Sequence, residues 1–124
     1  MKNNRYNWKI NDVEIFQCLA LYMKNNLSNE LKLKDLAVQA AINEDKLKKG
    51  FHYFFNTTVH QYLLRIRMER AYELVSQTDK PFKEIAALVG YRPRNFFHCF
   101  KKYFGDSPGE LRKKLAPNSH IRLL

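Results

Sequence analysis

The chain has 124 residues, enough for one domain or two very small ones with a modest core. Hydrophobic residues make up 45% and aromatics 14%, which excludes a disordered chain, and four glycines and four prolines leave long runs of helix formers, so the fold is read as all-α. A formal charge of +10 points to a polyanionic partner such as nucleic acid.

The polar start, "MKNNRYNWK", has no apolar signal-peptide core, and no apolar run reaches the ~18 residues of a membrane span. No membrane contact and a cytoplasmic location are therefore expected. In this leader, residues 1–10, Trp8 can pack on the first helix or fray. Asn11 to about Asn26 reads as an amphipathic helix with Val13, Phe16, Ala20 and Met23 on one face. Cys18 and Cys99 lie in helices without metal or disulfide spacing and are expected as buried free thiols, in keeping with a reducing compartment.

From here the chain repeats itself at an offset of 49 residues, without a gap. Leu36, Ala37, Ala41, Leu47, Phe51, Phe55, Asn56 and Tyr62 fall on Ile85, Ala86, Gly90, Phe96, Phe100, Phe104, Gly105 and Leu111. In each copy a short helix (Leu33, Leu36, Ala37; Phe82, Ile85, Ala86) meets a small residue, Ala41 or Gly90, suited to a tight bend. A second helix follows, with an apolar stripe of Leu47, Phe51 and Phe54, or of Phe96, Cys99, Phe100 and Tyr103. It stops at Asn56 or Gly105, residue types that tolerate a left-handed C-cap.

Between the copies, "TTVHQYLLRIRMERAYELVSQT" opens on the capping box Thr58-x-x-Gln61. With Val59, Tyr62, Leu63, Ile66, Leu74 and Val75 largely on one side, it reads as one connecting helix. Ion pairs or solvation are both open for Arg67 and Glu69. Ser107-Pro108-Gly109-Glu110 starts a short last helix that ends near Leu115, and the tail can fray or cover that helix with Ile121 and Leu123. The expected organisation has about seven helices. It comprises a first helix-turn-helix subdomain (11–57), a connector (58–77), a second subdomain (78–116) and a tail (117–124).

Helical periodicity places Asp45, Lys49 and His52 opposite the apolar stripe of the first copy, flanked by Lys46, Lys48 and Tyr53. In the second copy it selects Arg94, His98 and Lys101, flanked by Asn95, Phe97 and Lys102. A helix presented in this way fits the major groove of B-DNA, where Arg or Lys reads guanine and Asp accepts from cytosine N4. The basic residues are also unevenly spread, 9 against 6 acidic in residues 1–62 and 13 against 6 in residues 63–124. His52, His60, His98 and His120 lack metal-ligand spacing. No phosphate loop, carboxylate pair or nucleophile motif is present, so neither an enzyme nor a cofactor is expected.

These residues resemble the DNA-binding domain of the AraC/XylS family of bacterial transcription regulators, over about residues 13–115. The resemblance is strongest in "FKEIAALVGYRPRNFFHCFKKYFGDSPGELR": Ile85-Ala86, the Gly90-Tyr91 bend, Phe96-x-x-x-Phe100-Lys101-Lys102, Gly105-x-Ser107-Pro108 and a closing Arg112. It implies two helix-turn-helix units on a connector, their recognition helices in successive major-groove segments about one helical turn, ~34 Å, apart. It implies base readers at Asp45, Lys48, Lys49 and His52, and at Arg94, Asn95, Phe97 and His98. Lys34, Lys83, Lys101 and Lys102 suit phosphates. Double-stranded DNA is then the ligand and RNA polymerase a partner in activation.

This chain has one residue fewer than the family usually has between the Gly90-Tyr91 bend and Phe96. The shortening is placed in the turn, because inside the helix it would rotate the polar face by about 100° and bury His98 or Lys101. A monomer is expected, as an intact single-domain regulator or as the C-terminal part of a longer protein with a sensor or dimerisation domain. The alternative is a non-enzymatic module that binds nucleic acid without sequence preference, or binds another regulator.

Overall fold

The computed structural model describes the chain from Tyr6 to Arg122, and its side chains as far as Leu115. Met1–Arg5, Leu123 and the side chains of His120 and Ile121 lie outside that description. The described residues form seven α-helices and no strand: α1 Ile10–Asn25, α2 Leu33–Ala40, α3 Glu44–Phe55, α4 Val59–Gln77, α5 Phe82–Leu88, α6 Pro93–Phe104 and α7 Pro108–Arg122. None is long and apolar enough to cross a membrane. The chain divides into two compact units, Met1–Arg65 and Ile66–Leu124, with the boundary inside α4.

The 49-residue repeat is written into the backbone. α3 and α6 are both 12 residues long and begin 49 positions apart, at Glu44 and Pro93, and α4 and α7 begin 49 apart at Val59 and Pro108. The positive φ angles obey the same offset: Ala41 (57°) with Gly90 (88°), and Asn56 (56°) with Gly105 (89°). These are the left-handed positions that end the supporting and recognition helices; glycine, with no Cβ, takes that conformation freely, asparagine is tolerated there through local hydrogen bonding, and Ala41 holds it despite its Cβ.

In the first unit α1, α2 and α3 pack on one another. Their core contains Phe16, Leu19, Met23, Leu36, Leu47 and Phe51. Sequence periodicity found Phe16 and Met23 but misjudged the rest of α1. Val13 is 37% exposed and Ala20 is half-buried, while Leu19 and Asp12 are buried. Cys18 is exposed and Cys99 half-buried, so neither is the buried thiol expected.

Asp12 is a buried carboxylate with its partners supplied. It takes the Lys9 backbone N–H at 2.9 Å on one oxygen and the Lys46 ammonium at 3.0 Å on the other. Those contacts, the backbone donor first and Lys46 next, hold its pKa below the usual carboxylate range against the opposing effect of burial. The folded-state pKa lies below the unfolded one, so the stabilisation is complete above the unfolded value of about 3.9 and is lost as pH falls through the folded pKa. The thermal midpoint of the first unit should therefore drop as pH falls below about 4. Asp12→Asn should start lower and vary less over that window; equal slopes for the two proteins would remove Asp12 from the acid response.

In the second unit α6 packs against α5 and α7. Ile66, Met68, Ile85, Val89, Phe96 and Phe100 are core residues. Met68 and Ala71 of α4 are both fully buried, although the sequence reading left them out of the connector's apolar side. The expected stripe on α6 is also narrower than read, because Tyr103 is 43% exposed. Two arginines bond to backbone carbonyls here. Arg67 of α4 donates to the carbonyls of Val89 (3.1 Å) and Gly90 (3.2 Å), so it holds the turn before α6 and is not confined to the ion pairing or solvation expected. Arg112 of α7 donates to the carbonyls of Val75 (3.0 Å) and Lys80 (2.9 Å) and lies over the Phe82 ring at 4.4 Å.

α7 opens on a full capping box, Glu110 N–H to Ser107 Oγ at 3.1 Å and Ser107 N–H to Glu110 Oε1 at 2.7 Å. It runs on to Arg122, well past the end near Leu115 that the sequence suggested. Only half of the other box forms. Thr58 Oγ1 accepts from Gln61 N–H at 3.1 Å, while the Gln61 amide oxygen accepts from the Thr57 hydroxyl at 3.3 Å.

Candidate nucleic-acid interface

The first candidate surface is the outer face of α3. Asn43 caps the helix by accepting from the Lys46 N–H at 2.7 Å, and Leu47 and Phe51, both fully buried, fix its rotation. Gly50 lets α3 lie directly on the Phe16 ring; a Cβ there would sit 1.9 Å from Phe16 Cζ. With that face inward, Lys48, His52 and Tyr53 are exposed, and Asp45 and Lys49 are half-exposed. Lys46 is committed to Asp12.

Sequence reasoning missed what the leader does to this face. Trp8 is half-buried and stacks on Tyr53, with centroids 5.5 Å and planes 22° apart, and its ring also meets Phe54 at 5.3 Å and Phe16 at 6.0 Å. The Tyr6 ring lies 5.3 Å from Trp8, and its hydroxyl donates to Asp45 Oδ2 at 2.8 Å. The other Asp45 oxygen is 3.6 Å from Lys49 Nζ. The available signal was the pair of aromatics in a polar leader, which have little reason to be there unless they pack.

The second candidate surface is the outer face of α6. Arg92 is the N-cap and Pro93 the first helical residue, whose missing N–H costs nothing at that position. Phe96 and Phe100 are fully buried, and Arg94, Asn95, Phe97, His98, Lys101 and Lys102 are all exposed. His98 and Lys101 thus face outward. Phe97, 41% exposed, touches Phe82 edge-on at 6.0 Å, and Lys101 Nζ approaches Glu110 Oε1 at 3.9 Å. Behind the turn, burial pushes the Tyr91 hydroxyl up and the Arg67 guanidinium down from their ordinary pKa values.

Lys34 and Lys83 are exposed second residues of α2 and α5, again 49 positions apart. The repeat pairs the outer faces position by position: Asp45 with Arg94, Lys48 with Phe97, Lys49 with His98 and His52 with Lys101. The same backbone frame therefore carries different chemistry in its two copies. Each unit assembles its own set of side chains on one helix face.

Known proteins carry the same frame. The "Helix-turn-helix domain" family matches residues 36–114. The chain is 30% identical over 93 residues to the melibiose operon regulatory protein of Escherichia coli K12, covering 74% of this chain and 31% of that protein. It is 29% identical over 104 residues to the HTH-type transcriptional regulator GbdR of Pseudomonas aeruginosa, covering 83% and 28%. The chain thus spans about a third or less of the length of these two relatives. Among solved structures, the C-terminal domain of AraT, a response regulator from Geobacillus stearothermophilus, superposes with a TM-score of 0.76 at 30% identity, over 81% of this chain and 84% of that one. The DNA-binding domain of AdpA, solved in complex with a target DNA, shares the fold at 21% identity and a TM-score of 0.74, over 79% and 89%. A double helix-turn-helix frame, a family match over most of the chain and relatives that are transcription regulators lead to one assignment: the chain belongs to the AraC/XylS-type helix-turn-helix family of DNA-binding transcription regulators.

Proposed function

We propose that this chain reads a specific, asymmetric site in double-stranded DNA through α3 and α6, each laid in a major groove. The observation that supports this most is the pairing of two backbone-equivalent helices whose exposed faces differ in chemistry. Equal frames with equal side chains would suit a repeated half-site; here Lys49 stands where the other unit has His98, and Asp45 where it has Arg94. The base readers are Asp45, Lys48, Lys49 and His52 on α3 and Arg94, Asn95, Phe97 and His98 on α6, with the exposed Phe97 ring suited to a thymine methyl. Lys34, Lys83, Lys101 and Lys102 contact phosphates and set orientation and affinity rather than sequence.

The chain acts without catalysis, in the cytoplasm, and as a monomer on DNA, because two reading helices already lie in one polypeptide. RNA polymerase is the partner through which bound protein alters transcription. In a longer parent protein, a sensor or dimerisation domain would control this module.

Selection from a random duplex pool at about 150 mM salt tests the reading, since at that ionic strength non-specific binding is weak. Enrichment of one asymmetric site with two conserved blocks is expected. Retention without a consensus would instead favour a non-specific nucleic-acid binder or a module that binds another regulator. On the selected site, His98→Ala and Lys49→Ala should each relax base preference at about one position, at a cost of roughly 1–3 kcal/mol. Lys102→Ala should weaken binding to every sequence and reduce the salt slope by about one. Equal losses on selected and random DNA for all three variants would overturn the groove assignment.

A further inference from the structure

We propose that Tyr6 is a specificity-determining residue for the first recognition helix, acting through the carboxylate of Asp45; the inference rests on α3 being a DNA reader. Asp45 is the second residue of α3, in the N-terminal turn that comes closest to base edges when such a helix enters the groove. A carboxylate there is an acceptor only, and what it can accept from DNA depends on which lone pairs are already used and where its rotamer points.

One hold on the carboxylate comes from outside α3 and one from the next turn of α3 itself. The Tyr6 hydroxyl takes Oδ2 at 2.8 Å, and Lys49 faces Oδ1 at 3.6 Å. A free Asp in the first turn would exchange between solvent and its own helix's N–H groups. Here it is held to one side by a donor 39 residues away in sequence. The hold is firm because Tyr6 is placed by Trp8, whose ring is stacked on Tyr53 and wedged against Phe54 and the almost fully buried Phe16. The leader thus decides which part of the Asp45–Lys49 pair faces the groove, although it need not touch a base itself.

Tyr6→Phe tests this, since it keeps the ring against Trp8 and removes only the hydroxyl donor. Site selection with the wild type, Tyr6→Phe and Asp45→Ala, together with the unfolding midpoint of each, separates the outcomes. The expected result is a change of about threefold to tenfold in base discrimination for Tyr6→Phe, as for loss of one hydrogen bond of ordinary net strength. The change should fall in the block that Asp45→Ala also alters, with the other block and the affinity for random DNA unmoved and the unfolding midpoint lowered only slightly, as for one hydrogen bond. If Asp45→Ala alters a block while Tyr6→Phe matches the wild type within about twofold everywhere, the inference is overturned and the reading role of α3 stands. If Asp45→Ala, Lys49→Ala and Tyr6→Phe all leave the consensus unchanged, the reading role of α3 fails and takes the inference with it.

Discussion

Phe100→Ala is expected to destabilise the second unit by about 3–5 kcal/mol, the usual cost of removing a fully enclosed aromatic ring from a core. Phe100 has no exposed surface, and its ring lies 4.7 Å from Phe104 and 5.6 Å from Phe96, so the truncated site cannot be refilled by solvent and leaves two rings with an open edge. A domain of this size has little to spare, since stabilities run at about 5–15 kcal/mol for whole domains and small ones sit near the lower end. Amide hydrogen exchange resolves the effect by position. Protection along α6 and α7 should fall by about a hundredfold or more. Tyr103→Ala, on the same helix but 43% exposed, should change it far less. Comparable losses for both variants would mean that the second unit is not organised around the Phe96–Phe100–Phe104 stack. Binding to the selected DNA site should fall with the folded fraction, which distinguishes this variant from His98→Ala, where the fold is kept and base preference is lost.

The contrast between Phe100 and Tyr103 also marks how far a sequence reading reaches. Advancing 100° per residue gives the direction of a side chain, and it placed both rings toward the core. Depth depends on what lies opposite. Phe100, in the middle of α6, is enclosed on all sides, whereas Tyr103 is in the last turn and retains a contact with the adjacent Phe104 at 4.8 Å. Val13, in the first turn of α1, fails in the same way. The repeat was legible because it rests on residue identity at a constant offset, and the matching φ angles at Ala41, Gly90, Asn56 and Gly105 are its structural counterpart. The outward faces of α3 and α6 follow from that register. What no local pattern carries is pairing between distant residues: Lys46 with Asp12, Tyr6 with Asp45, Arg67 with the Val89 and Gly90 carbonyls. Two of these three alter the candidate site itself, one by withdrawing Lys46 from the outer face and one by restraining Asp45.

Gly50→Ala is expected to destabilise the first unit by about 2–3 kcal/mol, even though alanine is the better helix former. Two effects compete. Replacing a mid-helix glycine by alanine favours the helix by about 1 kcal/mol. Against this, the new methyl would meet Phe16 Cζ at 1.9 Å and Cε1 and Cε2 at 2.5 Å, well inside any allowed contact. Phe16 cannot simply turn away, because it is 1% exposed and its ring is held by Phe51 at 5.9 Å, Phe54 at 5.1 Å and Trp8 at 6.0 Å. Overpacking of a closed site therefore outweighs propensity. The second copy has Cys99 at the matching position, half-buried, so the requirement for glycine belongs to the meeting of α3 with Phe16 and not to the repeat. Chemical denaturation of Gly50→Ala, Phe16→Leu and the double variant measures the coupling. Each single change should lower stability, and the double variant should recover at least about 1 kcal/mol of their summed loss, because leucine gives up the ring edge that the methyl strikes. Strict additivity would show that α3 can shift away from α1 at little cost. In that event the rotation of α3, and with it the outward placing of Lys48, Lys49 and His52, would not depend on this contact.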